Sequence, residues 1–139
     1  MFKNILVPTD FSEKSQQALE VAVEIAQLDR GNVTLLHVIE TLSQATFEEL
    51  ENFYTKLEKQ AWTKMKALIT PYQNSQVEIK PKIIYGNRVQ EILKVAADHN
   101  IELIIMNSHK VDLENPALGW GTISYKVAVL SLCPILLVK

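Results

Sequence analysis

Residues 3–38 read KNILVPTDFSEKSQQALEVAVEIAQLDRGNVTLLHV, and this stretch decides the fold. It opens on a short apolar run, Lys3 to Val7, that stops at Pro8-Thr9-Asp10. Ser12 then offers a hydroxyl as a helix N-cap, and Ala18, Leu19, Ala22, Ile25 and Ala26 recur behind it at helical spacing. Gly31 is placed to stop that helix. The second run, Asn32 to Val38, is apolar or β-branched on both faces, which marks a strand covered above and below. Strand, helix and strand in this order form a unit with a right-handed crossover and parallel strands.

The pattern repeats to the end of the chain. Thr46 and Glu49 form a T-x-x-E capping box for a long helix whose apolar stripe is Leu50, Phe53, Tyr54, Leu57, Ala61, Met65 and Leu68, bounded by Pro71. Val77 to Tyr85 reads as a third strand, and Pro81 within it argues for the sheet edge or a break. Gly86-Asn87 turns the chain, and Asn87 can cap a helix carrying Val89, Ile92, Leu93 and Ala96. Glu102 to Met106 is the fourth strand, residues 107–118 form a polar loop, and Gly121-Thr122 opens a last helix with Ile123, Val127 and Leu130. Ile135 to Val138, after Pro134, is the fifth strand. Five strands alternating with four helices predict an α/β domain over residues 1–139, with a parallel sheet and helices on both faces.

Composition narrows the function classes. The chain has 139 residues, is 47% apolar and 22% charged, and carries a net charge of −2. That size supports a core without disulfides or metal. The charge balance gives no case for nucleic acid. The single cysteine, Cys133, cannot form an internal disulfide and fits a reducing compartment. The opening apolar run is too short for a signal-peptide core, and no later run suits a membrane span, so the expected location is cytoplasmic.

In an open parallel sheet, ligands bind beyond the carboxyl ends of the strands, where strand order reverses. That rule singles out Pro8, Thr9 and Asp10 after the first strand, Val38 after the second, and Met106 to Lys110 after the fourth. The N-terminus of the last helix, at Gly121-Thr122, adds free N–H groups suited to a phosphate. Asp10 is equally suited to capping the turn after the first strand.

The segments ILVPTDFS, LLHV, GNRVQEIL, ELIIMNSH and GTISYKVAVLSLCPILLVK resemble the universal stress protein family in register from end to end. The resemblance implies a doubly wound five-stranded sheet of order 3-2-1-4-5 and a homodimer pairing across the last strand. Many members bind ATP, with Mg, or a related nucleotide such as AMP. The resemblance implies that Asp10 contacts the ribose, the backbone at Val38 reads the adenine, and the phosphates meet a G-x-x-G-(nine residues)-G-[ST] loop. Here the chain departs from the family. Asn107 and Lys110 stand where the two leading glycines would be, and the spacing from Lys110 to Gly121 is one residue longer. Asn107 tolerates a left-handed conformation better than Lys110 does, while the Lys110 ammonium can meet a phosphate directly.

The expected site is therefore Pro8, Thr9, Asp10, Val38, Met106, Asn107, Lys110, Gly121, Thr122 and Ile123. No Ser-His-Asp or Cys-His set stands at a spacing that argues for catalysis. His109 has no second ligand at metal spacing. His37 reads as a hydrogen-bonded core residue, His99 as a helix-end residue, Cys133 as buried and Trp62 as wholly or partly buried. Trp120 fits either a pocket cover or a dimer contact. Three functions remain open: a dimeric adenine-nucleotide-binding module with little or no turnover, a nucleotide-independent dimer acting through protein contacts, and a slow ATPase. Ile135, Leu136, Leu137 and Val138, as an apolar last strand, are the expected dimer edge.

Overall fold

Five parallel strands lie in the order β3-β2-β1-β4-β5. The computed structural model describes residues 1–41, 47–108, 114 and 122–139. The strands are β1 (Asn4–Pro8), β2 (Asn32–Glu40), β3 (Glu78–Gly86), β4 (Leu103–Asn107) and β5 (Ile135–Val138). The helices are α1 (Glu13–Leu28), α2 (Phe47–Ile69), α3 (Arg88–Asp98) and α4 (Ile123–Leu130), with a short 3-10 turn at Thr70–Tyr72. β1 is central, pairing with β2 from Asn4↔Asn32 to Pro8↔Leu36 and with β4 at Ile5↔Leu103 and Leu6↔Ile104. The doubly wound order expected from the sequence is the one observed.

The alternation of side chains along each strand builds two cores. Ile5, Val7, Val33, Leu35, Leu103 and Ile105 face α1 and α2, where they meet Ala18, Leu19, Ala22 and Met65. Leu6, Leu36, Val38, Ile104 and Met106 face the other way, toward Ile92 and Val95 of α3 and Val127 of α4. β1, β2 and β4 are apolar on both faces because both faces are covered.

Strand ends differ from the sequence reading by one or two residues. β1, β3 and β4 each run one residue further, and β2 reaches Glu40. The ladder extends wherever a neighbour supplies partners, as for Pro8 opposite Leu36, so Pro8 closes a strand instead of following one. β3 runs unbroken at the edge, the first of the two alternatives that Pro81 left open, and Lys80 and Lys82 flank the proline. The opposite edge is β5, with Leu136 39% exposed and Leu132, just before it, fully exposed.

Helix ends follow local chemistry. Ser12 and Asn87 cap α1 and α3, their side chains accepting from the N–H groups of Ser15 and Gln90. The left-handed residue after α1 is Arg30 (φ 54°), not Gly31. Gly31 N–H bonds Ala26 O at 2.8 Å, the long return bond of a Schellman ending. Gly31 is required for another reason: a Cβ there would stand 2.6 Å from the Lys3 carbonyl oxygen. α3 ends alike, with Asn100 left-handed (φ 52°) and Ile101 N–H on Ala96 O. In α2, Ala61 and Met65 are buried, but Phe53 is 50% exposed and Trp62 37% exposed, so only part of the predicted stripe reaches the core and Trp62 lies largely outside it. Thr46 of the expected capping box lies outside the described residues.

Candidate functional site

The turn after β1 is held by a chain of short-range hydrogen bonds. Thr9 N–H donates to Leu36 O (2.8 Å), tying the turn to β2. Thr9 Oγ1 accepts from Phe11 N–H (3.0 Å) and donates to the buried Ser15 hydroxyl (2.9 Å). Asp10 Oδ1 accepts from Ser12 N–H at 2.9 Å, so the capping role open in the sequence is filled. Phe11 takes a left-handed conformation (φ 66°), rare for an aromatic residue, and its ring packs on His37 at 4.2 Å. The result is a rigid platform that leaves the Asp10 side chain at the sheet's carboxyl edge.

Partial burial pushes the Asp10 pKa up, but hydrogen bonds from Ser12, its own backbone and Ser15 outweigh this and hold it below the usual aspartate value. The carboxylate is thus ionised at neutral pH. His37 is half-buried, and its Nδ1 lies 2.8 Å from Thr9 O. A carbonyl only accepts, so Nδ1 carries the proton and Nε2 the lone pair in the neutral ring. Burial is the main reason the His37 pKa lies below its usual value; Arg88 and Lys64 lower it further, while the Thr9 carbonyl and Asp10 oppose the shift.

That shift has a sign. The native state resists protonation more than the unfolded chain, so between the unfolded His value of ~6.5 and the lower native value the unfolded chain binds more protons. The His37 contribution is fully present above that window and is lost as pH falls through it. Asp10 adds a second loss only at lower pH, below the usual aspartate value of ~3.9. Urea midpoints are expected to fall from pH 7 to pH 5 in the native protein and to fall less in His37→Gln. An unchanged pH slope in the variant would assign the loss elsewhere.

Beyond this turn lies a cavity of about 290 Å³ at the point where strand order reverses between β1 and β4. Its walls bring together Pro8 from β1, Thr9 and Asp10 from the turn after it, Val38 from β2, Met106 and Asn107 from β4, and Thr122 and Ile123 at the start of α4. Eight of the ten residues expected from the sequence therefore line one cavity. The other two, Lys110 and Gly121, lie outside the described residues, as do His109 and Trp120. Thr122 is the N-cap of α4; its Oγ1 accepts from Tyr125 N–H at 3.3 Å and lies 3.3 Å from Ser124 Oγ. Its hydroxyl proton remains available for a ligand oxygen or for Ser124.

Leu36, His37, Arg88, Ile92 and Ser124 also line the cavity and were missing from the sequence reading. Leu36 and Ile92 carry a legible signal, being inward positions beside residues already chosen. Arg88 follows the cap Asn87 directly and so opens a helix at the carboxyl edge of β3. Ser124 is buried and was hidden within an apolar helix pattern. His37 was expected in the core; its ring does pack and bond there, yet the residue also contributes to the cavity wall. Cys133 is only partly buried, packed against the α3–α4 core with Ser131 Oγ 3.3 Å from its sulfur. Ser108 Oγ, beside Asn107, is buried without a hydrogen-bond partner among the described residues.

A doubly wound parallel sheet with a cavity at its switch point defines a ligand-binding α/β architecture. The model of the universal stress protein family matches residues 1–139. Universal stress protein MJ0577 of Methanocaldococcus jannaschii is 32% identical over 157 residues, covering 100% of this chain and 96% of its own length. The solved structure of MJ0577 superposes with a TM-score of 0.83 at 36% identity, covering 100% of this chain and 96% of that one. A universal stress protein in complex with cAMP shares the fold at a TM-score of 0.68 and 19% identity, with 99% and 97% of the two chains covered. Another, from Archaeoglobus fulgidus in complex with dAMP, does so at 0.67 and 15%, with 100% and 98% covered. The chain belongs to the universal stress protein family.

Proposed function

We propose that this protein is a dimeric, cytoplasmic stress-response module that binds an adenine nucleotide, AMP or Mg-ATP, with little or no turnover. One observation carries the reading: Asp10, Val38 and the start of α4 line a single cavity at the switch point. The base sits against Val38, the ribose hydroxyls bond Asp10, and the phosphates meet the N–H groups at the start of α4 and the Thr122 hydroxyl. An ionised Asp10 suits the hydroxyls as an acceptor, and the helix N-terminus suits the phosphates through its dipole. The cAMP and dAMP complexes of fold relatives support the ligand class. Asn107 lines the cavity where the family has glycine, so the backbone cradle is weaker and charge contributes more of the phosphate affinity. The dimer forms through β5, whose free edge carries exposed Leu136; Val129, Leu130 and Leu132, a few residues earlier in the chain, are exposed as well.

Calorimetric titration with ATP, AMP and a control pyrimidine nucleotide tests the reading. Asp10→Ala is expected to weaken adenine-nucleotide binding about tenfold, the worth of one charge-assisted hydrogen bond of roughly 1.5 kcal/mol. Asp10→Asn keeps an acceptor for Ser12 N–H and separates the lost charge from a lost turn. No heat with any adenine nucleotide up to millimolar concentration would overturn the binding role and leave the nucleotide-independent dimer.

A further inference from the structure

Among the described residues, Arg88 is the only lysine or arginine in the cavity wall. It is the first residue of α3, the helix that follows edge strand β3 and packs on β2, β3 and α4. Thr122 opens the helix that leads to β5, at the other edge. Its ion pair with Glu40, two residues beyond Val38 on β2, sets Arg88 on the Val38 side of the cavity. Its ion pair with Glu40 is long, 3.7 Å from Nε to Oε1, and both side chains are about half exposed, at 43% and 53%. Such a pair holds a side chain loosely. The cavity floor beside it is apolar, formed by Val38, Ile92 and Met106, all buried.

We propose that Arg88 is a specificity-determining residue for the planar base of the ligand: its guanidinium closes over a base seated on the Val38, Ile92 and Met106 floor, while Glu40 limits its swing. This rests on the nucleotide reading of the cavity and adds a selection step to it. A guanidinium is flat, delocalised and weakly hydrated, so it stacks on an aromatic face more readily than a compact ammonium does. With the phosphates at the start of α4, the arginine selects for the base and makes the site prefer a nucleoside or nucleotide over a bare sugar phosphate. The loose tether suits this role, because a tightly paired arginine would have to break a strong contact first.

The test compares AMP and adenosine on the wild-type chain, Arg88→Ala and Arg88→Lys, by calorimetry or by displacement of a fluorescent AMP analogue. Arg88→Ala is expected to weaken both ligands equally, by about fivefold. Arg88→Lys, which keeps the charge and the stem, is expected to recover less than half of that loss and serves alone if the alanine variant does not fold. A loss seen with AMP but not with adenosine would place the guanidinium on the phosphate and overturn the proposal. Full affinity in Arg88→Lys would overturn it too. Unchanged affinity in Arg88→Ala would overturn it while leaving the nucleotide reading intact. A wild-type chain that binds neither ligand would overturn the nucleotide reading, and this proposal with it.

Discussion

If the chain pairs through β5 as proposed, Leu136→Lys is expected to turn that dimer into a monomer at micromolar concentration. β5 pairs with β4 on one side only, from Ile104↔Ile135 to Asn107↔Val138, and its other side is the sheet edge. Leu136 is 39% exposed and belongs to neither core cluster, so its replacement leaves the folded protomer intact. In a two-fold interface every substitution occurs twice. If each buried lysine costs ~2 kcal/mol at a desolvated position, the pair raises the dissociation constant on the order of 10³-fold. Sedimentation velocity from one to fifty micromolar equivalents of protomer, roughly the range in which the two states separate, reads the change. A variant that stays dimeric would show that association does not use β5.

Leu6→Ala is expected to lower the unfolding free energy by about 3 kcal/mol. Leu6 is fully buried in the central strand and packs in the α3–α4 core with Leu36, Ile104 and Met106. Truncation removes the transfer free energy of its methyl groups and leaves a void that strands fixed on both sides cannot fill. Urea unfolding on the Leu136→Lys background removes the contribution of association, which otherwise makes stability depend on concentration. A loss below ~1 kcal/mol would mean that the layer collapses around the missing side chain far better than most close-packed cores do. The same variant reports on function, because Met106 and Leu36 also line the cavity and would relax toward the void.

The fold was legible because each signal was local and repeated. Runs such as VTLLHV and LIIM declare strands buried on both faces, and Ser12 and Asn87 declare helix starts that the structure confirms. Pro81, by its missing N–H, pointed to an edge strand or a break, and the edge is what the structure shows. The strand order itself rested on family resemblance, since alternation alone admits several parallel orders. The switch-point rule then gathered most of the cavity, because it needs only the strand ends. It missed Arg88 and Ser124, since which face of a helix turns toward a cavity depends on how the helix docks, and that is a tertiary fact. His37 was read as a core residue because it lies within an apolar strand, and that reading did not show that the residue also borders the cavity. Gly31 shows the same limit: its spacing named a helix stop, while its actual necessity is the Lys3 backbone lying against it.

The two edges of the sheet are chemically unlike. β3 carries Pro81 between Lys80 and Lys82, devices that discourage a further strand, whereas β5 presents an apolar edge. If β5 pairs as proposed, the folded chain is, in the vocabulary of polymer growth, a monofunctional unit with one reactive end and one capped end. Joining two such units consumes both reactive ends and leaves a capped β3 at each extremity. Such a product terminates itself, so pairing at β5 would add a partner without seeding a filament.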